Sequence, residues 1–362
     1  MSQINTLIKP THKCNLRCKY CFHEKYGYES EILEMSLLKK YVELLSKKYQ
    51  YINIIWHGGE PLMAPLDYYE EIYDFCDSLD SNFIYSIQTN GTLLNEKNID
   101  FFKNHKTSIG LSFDGLTNDK TRSNTSQIIK NIRLLQEKKF NPGAIMVVNQ
   151  NNVLNLIDEY EYFKKLDLSM KINPMFNDGA AQKNNCFTLD ADVYVEEFIK
   201  LFKYWMFDLN CNINVSTFDD FIKLILYEKS GVCTFNSCLG KWLCLDSNGK
   251  VYPCDRLCVD NYCLGDVKQI KNIDELFENN VFINLLKDSI ARRDECQSNC
   301  EYYKNCYGGC NANSFLNMIN NENTSCYIQK GILKELKSLL NENSLSNYDD
   351  LNSNFVKVFT NK

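Results

Sequence analysis

A chain of 362 residues has room for one large or two medium domains around a substantial core. Its 44% hydrophobic and 13% aromatic content excludes a disordered chain, and most of its 22 Tyr and 21 Phe are expected to be core residues. A net charge of −6 without a dense Lys/Arg run excludes the footprint of a nucleic-acid binder. No apolar run approaches the ~18 residues of a membrane span, and a polar, cysteine-bearing stretch begins within a dozen residues, so a cytoplasmic protein with no membrane partner is expected.

Up to about residue 175, short apolar runs alternate with amphipathic stretches, the pattern of repeated βα units in an α/β fold. Six strands are expected, at Thr6–Lys9, Ile52–Trp56, Phe83–Gln88, Ser108–Ser112, Ala144–Val148 and Met170–Asn173. Apolar residues at three- and four-residue spacing predict helices over Met35–Tyr49, Leu66–Leu79, Glu96–Asn104, Gln127–Lys139 and Leu154–Leu166. In such βα arrays the chemistry gathers at the carboxyl ends of the strands. Each end carries polar residues or glycine: the first leads into a cysteine loop, the second into His57-Gly58-Gly59-Glu60-Pro61, and the third into Gln88-Thr89-Asn90. The fourth gives Ser112-Phe113-Asp114-Gly115, the fifth Asn149, and the sixth Asn173-Pro174-Met175. A Gly/Asn-rich segment near residues 176–190 reads as a linker, followed by a helix around Asp192–Phe207.

Seventeen cysteines in a chain of this size and compartment point to metal ligation rather than disulfides. Three open the chain as Cys14-x3-Cys18-x2-Cys21 and twelve lie from Cys211 onward. Three thiolates leave one coordination position open, as in an iron–sulfur cubane with one iron free for a ligand that is not protein. A structural zinc site would need a fourth donor, for which His12, His23 and Cys76 are the nearest candidates.

The triplet, with Leu7-Ile8-Lys9-Pro10 before it and Phe22 after it, resembles the opening of the radical S-adenosylmethionine (SAM) enzymes, in particular the anaerobic sulfatase maturases and their peptide-modifying relatives. The resemblance implies a partial (β/α)6 TIM-like barrel over residues 1–180, linker and helices over 181–229, a cysteine-rich SPASM domain over 230–330, and a terminal helix and tail over 331–362. It implies that Cys14, Cys18 and Cys21 hold a [4Fe-4S] cluster whose open iron binds SAM. Gly58, Gly59 and Glu60 would approach the SAM amino group, and Ser112 and Arg122 its carboxylate or ribose. Tyr20 and Phe22 would pack on cluster and adenine, with Gln88, Asn90 and Met175 as further cofactor contacts. His57 stands where sulfatase maturases tend to carry Gln.

In the second half, Cys238, Gly249-Lys250-Val251-Tyr252-Pro253-Cys254, Cys300-x5-Cys306-x3-Cys310 and Cys326 resemble the SPASM extension. By that resemblance Cys233, Cys238, Cys254 and Cys310 hold one auxiliary [4Fe-4S] cluster, and Cys296, Cys300, Cys306 and Cys326 a second. Spacing alone leaves two four-cysteine zinc sites as an alternative. Cys296-x3-Cys300 has one residue more than the usual pattern, expected as a bulge, and Cys76, Cys186, Cys211, Cys244, Cys258 and Cys263 remain as core or surface thiols. Asp255 occupies the position of the maturases' proposed catalytic base, with a turn aspartate as the plainer reading.

The implied activity is hydrogen abstraction from a peptide residue, giving either formylglycine from a sulfatase-type Cys or Ser or an oxidised or crosslinked precursor peptide. Implied partners are the peptide or protein substrate, a flavodoxin- or ferredoxin-type low-potential donor and, if a leader must be bound, a separate leader-peptide-binding protein. The reading from another class is a non-enzymatic iron–sulfur carrier or zinc-bound scaffold, which has no use for an open triplet beside Gly58-Gly59-Glu60-Pro61.

Overall fold

The structure is a computed structural model that describes residues 2–28, 31–183, 189–228, 230–317 and 324–342. All six expected strands form: β1 (Gln3–Ile8), β2 (Tyr51–Trp56), β3 (Asn82–Thr89), β4 (Ser108–Ser112), β5 (Gly143–Val148) and β6 (Ser169–Pro174). Each pairs in parallel with the strand before it. A helix crosses back between successive strands, as parallel pairing requires. These helices run Met35–Ser46, Leu66–Asp77, Glu96–Asn104, Thr125–Glu137 and Leu156–Lys165.

Strand alternation sorts the side chains onto two faces. On β2, Ile52, Ile54 and Trp56 are fully buried against the helices, whereas Asn53 and Ile55 point to the other, half-open face. Aromatic residues fill much of the helix side, as the composition suggests: Trp56 Nε1 donates to the Tyr73 hydroxyl at 3.0 Å, and the Tyr73 and Tyr85 rings stack 4.0 Å apart. The opposite face opens as a cavity of about 270 Å³ bordered by Ile55, Ser86, Gln88, Gly110 and Gly143.

The second half does not begin a separate sheet. Strand β7 (Trp242–Leu245) pairs in parallel with the free side of β1, and β8 (Lys250–Tyr252) and β9 (Gly265–Asp266) follow antiparallel. The result is one nine-stranded sheet, ordered β6-β5-β4-β3-β2-β1-β7-β8-β9. Around it pack helices Ala191–Met206, Ser216–Tyr227, Asn280–Asn299 and Thr324–Glu342. No helix among the described residues is long and apolar enough to cross a membrane. Cys186 and the Asn/Ser/Asp-rich stretch beyond residue 342 lie outside the described residues.

Candidate active site

The cysteine triplet sits in the irregular loop between β1 and the short 3-10 turn Phe22–Tyr26. The loop is held from three sides. Lys19 N donates to Thr121 O at 2.9 Å, Ala180 N donates to Cys21 O at 3.0 Å, and Glu60 N donates to Lys13 O at 2.7 Å. Burial pushes the Cys14 thiol up to about 11 and raises Cys18 and Cys21 as well, with the Arg122 charge opposing at both. Forming thiolates here needs a cation that offsets the burial, which an iron cluster supplies. None of the three candidates for a fourth protein ligand closes the triplet. Cys76 is buried in helix Leu66–Asp77, His12 pairs with Asp246 at 2.8 Å, and His23 faces Asp255.

Gly58 and Gly59 lie where the β2 loop meets the cysteine loop. A Cβ on Gly59 would stand 2.3 Å from Lys13 O and 2.4 Å from His12 O, and Gly58 has φ +120°. The close approach they permit is thus to the backbone that carries the triplet. Glu60 is fully buried and ties two loops together: Oε1 accepts from Leu62 N and Thr89 Oγ1, and Oε2 from Asn90 N. Its carboxylate is therefore occupied within the scaffold, as is its backbone, whose N–H donates to Lys13 O and whose carbonyl accepts from Met63 N. Asn90 extends the same network, donating to Asn15 Oδ1 at 2.9 Å with its Nδ2 3.9 Å from Cys14 Sγ.

On the other flank, Asp114 accepts from the Tyr20 and Thr121 hydroxyls at 2.6 Å each, and Arg122 Nη1 donates to the Tyr20 oxygen at 2.9 Å. Tyr20 is thus buried as a bridge between acid and base, a role that its reading as a packing ring did not contain. Arg122 Nε has no hydrogen-bond partner although it is buried. A guanidinium with spare donors beside three cysteines suits an anionic ligand. Gln88 Nε2 donates to Ser112 Oγ at 2.9 Å on the open face, where Gly110 leaves room for the Gln88 amide. The Phe22 ring lies 4.2 Å from that of His23 at a tilt of 39°, and Met175 N donates to Val148 O at 2.9 Å, which fixes the loop after β6. The loop after β4 is braced from behind by Glu159, whose Oε2 accepts from Leu116 N at 2.7 Å and whose pKa burial raises to about 7.

Asp255 follows Cys254 in a 3-10 turn, yet its carboxylate does not cap that turn. It forms a 2.9 Å ion pair with the fully buried Lys9, while His23 Nε2 and His57 Nδ1 each stand 3.7 Å from its Oδ2. Burial is the largest influence on the Asp255 carboxyl and would raise its pKa, but the Lys9 ammonium together with His23 and His57 holds it well below the usual range. Burial pushes His23 down to about 3 and lowers His57. Behind this group Cys244 and Cys258 lie with their sulfurs 3.5 Å apart. Lys9, His23 and the Cys244/Cys258 pair were not legible as parts of this site, because they meet only when β7 pairs with β1.

Eight further cysteines lie in two groups of four. The charges of Cys233, Cys238, Cys254 and Cys310 act on one another, and so do those of Cys296, Cys300, Cys306 and Cys326. The extra residue between Cys296 and Cys300 makes no bulge. Cys296 lies in the last turn of helix Asn280–Asn299, and Cys300, which caps that helix, donates its N–H to Cys296 O at 2.9 Å, so the pair spans one helical turn. Among the described residues, three donor atoms come within 4.8 Å of one another only at His23/His57/Asp255 and Cys244/Asp255/Cys258. A zinc ion with 2.3 Å bonds would bring sulfurs to ~3.8 Å, whereas no three of the eleven cysteines have their sulfurs all within 4.8 Å of one another. Asn311, which the sequence did not single out, donates to Cys238 Sγ at 3.2 Å and accepts from Arg292 at 2.6 Å.

A parallel βα array with an open cysteine triplet after its first strand is the design of a radical SAM enzyme, and residues 8–162 match the model of the Radical SAM superfamily. The cysteine-type anaerobic sulfatase-maturating enzyme of Clostridium novyi is 30% identical over 351 residues, covering 91% of this chain and 93% of that protein. The serine-type anaerobic sulfatase-maturating enzyme of Bacteroides thetaiotaomicron is 26% identical, covering 90% and 86%. The solved structure of native anSMEcpe with bound AdoMet and Cp18Cys peptide superposes with a TM-score of 0.81 at 25% identity, over 94% of this chain and 98% of that one. The chain belongs to the radical SAM family of anaerobic sulfatase-maturating enzymes. Its cofactors are SAM and [4Fe-4S] clusters.

Proposed function

We propose that this enzyme oxidises a cysteine side chain in a peptide or protein substrate to formylglycine. The observation that carries the reading is the 30% identity to a cysteine-type relative along 91% of the chain. Residues 1–180 serve as the radical domain and 230–330 as the auxiliary-cluster domain. When bound, SAM and the clusters supply a 5′-deoxyadenosyl radical that removes a hydrogen atom and a sink for the second electron. Cys14, Cys18 and Cys21 hold the SAM-binding cluster, with Gly58, Gly59, Glu60, Gln88, Asn90, Ser112, Arg122, Tyr20, Phe22 and Met175 shaping the SAM site. Arg122 orients the anionic end of SAM, and the Tyr20–Asp114 pair fixes the guanidinium. Cys233, Cys238, Cys254 and Cys310, and Cys296, Cys300, Cys306 and Cys326, hold the auxiliary clusters. Asp255, kept ionised by Lys9, accepts the proton from the substrate thiol. Electrons come from a flavodoxin- or ferredoxin-type donor in the cytoplasm.

Crosslinking of a ribosomally made precursor, with a separate leader-peptide-binding protein, is the second reading. The observation that favours it is His57, which replaces the Gln usual in the maturases. Anaerobic incubation of the reconstituted enzyme with SAM, reductant and two peptides separates the two. A Cys-x-Pro-x-Arg peptide is expected to exchange its sulfur for an aldehyde oxygen, as read by mass spectrometry. A neighbouring-gene precursor that instead loses two hydrogens and keeps its sulfur would overturn the formylglycine reading.

A further inference from the structure

We infer that His23, His57 and Asp255 form a site for one divalent first-row metal ion of the Zn²⁺ or Fe²⁺ type, separate from the cysteine sites. The three donors come from three distant segments, the turn after the triplet, the loop after β2 and the turn after Cys254. Their donor atoms lie within 4.8 Å of one another, and the two imidazole-to-carboxylate separations are 3.7 Å. That is too long for a hydrogen bond. It is close to the ~3.3 Å between neighbouring ligands of a tetrahedral ion with bonds of 2.0–2.1 Å.

The second observation is that these groups lack other partners. His23 is 95% buried by its 5% exposure, yet neither of its ring nitrogens has a hydrogen bond, and the same holds for His57 Nδ1. A buried imidazole without partners is costly unless something binds it. Two imidazoles and one carboxylate on one side of an ion also leave positions open on the other, the donor set of a facial triad.

The carboxylate divides its oxygens. Oδ1 faces the Lys9 ammonium at 2.9 Å, which leaves Oδ2 to the ion. A dication beside Lys9 exceeds the charge of Asp255, so the open positions favour an anionic ligand. A thiolate is such a ligand, and coordination deprotonates a thiol outright. With an ion present, Asp255 would then act on a thiol substrate as a metal ligand rather than as a free base. The metal site itself does not depend on the proposed function and is measured without peptide.

The test uses the anaerobic holoenzyme with its clusters loaded, equilibrated with Zn²⁺ alone and then desalted. Elemental analysis is expected to find about one Zn²⁺ per chain at unchanged iron, with a K-edge spectrum showing nitrogen and oxygen at about 2.0–2.1 Å. His57→Gln and Asp255→Asn should each weaken binding roughly tenfold or more. Lys9→Met, which removes the competing ammonium at similar volume, should tighten it. Iron content reports whether each variant retains its fold. Absence of retained zinc, a sulfur shell near 2.3 Å, or unchanged affinity in His57→Gln at full iron content would each overturn the proposal.

Discussion

Replacing Glu159 with Gln should change how stability depends on pH. Glu159 is fully buried behind the loop that carries Asp114 and Arg122, and burial raises its pKa from 4.5 to about 7. Between those values the folded protein keeps a proton that the unfolded chain has released. Its contribution is therefore complete below about pH 4.5 and is lost as pH rises through about 7. A gap of roughly 2.5 units at ~1.4 kcal/mol each amounts to about 3 kcal/mol. Gln keeps an oxygen to accept from Leu116 N but has no charge to bury. Relative to wild type, Glu159→Gln should gain about 3 kcal/mol between pH 4.5 and pH 8, a relative shift of about 1 M in urea midpoint at a slope of about 3 kcal/mol per M. The buried Trp56 offers a fluorescence readout for anaerobic urea titrations at several pH values. Parallel midpoint curves for the two proteins would refute the reasoning.

Cys18→Ala should lower the iron content from about twelve to about eight per chain, at four irons per cubane, and abolish 5′-deoxyadenosine formation from SAM; continued formation of that product would remove the triplet from the chemistry. Gly59→Ala forces a methyl group to 2.3 Å from Lys13 O, so the cysteine loop must shift, and SAM cleavage should fall at least tenfold at intact auxiliary-cluster iron. Tyr20→Phe removes the hydroxyl that bridges Asp114 and Arg122, which should cost about 1–3 kcal/mol in unfolding stability and weaken SAM binding in equilibrium dialysis.

The radical half of the molecule was readable because its strands alternate. Ile52, Ile54 and Trp56 announce β2 by their spacing, and the marked strand ends follow once parallel βα units are accepted. Sequence spacing failed where residues meet through tertiary pairing. Lys9 and Asp255 are 246 positions apart and join only because β7 lies beside β1. The turn between Cys296 and Cys300 was misread for a different reason: an x3 gap is a bulge in irregular chain but one full turn on a helix, and the weakly periodic helix Asn280–Asn299 was not foreseen. The partners that hold the Glu60 carboxylate, Thr89 and Asn90, were equally hidden, because they lie on the next strand and loop.

The parallel pairing of β7 with β1 also sets a timetable for biosynthesis. Strand β1 is made well before the neighbour that covers its second edge, which ends at Leu245. Roughly 240 residues must be added in between, which at ~5–20 residues per second takes roughly 10–50 s. Throughout that interval the strand leading into Cys14 presents unpaired backbone groups, the condition under which nascent sheets join wrongly. Lys9 meanwhile waits without Asp255, so its charge stays in water until the second half arrives. The cysteine loop thus reaches its final setting only after β7 and Asp255 have been made, and loading of its cluster in the native setting waits for that pairing.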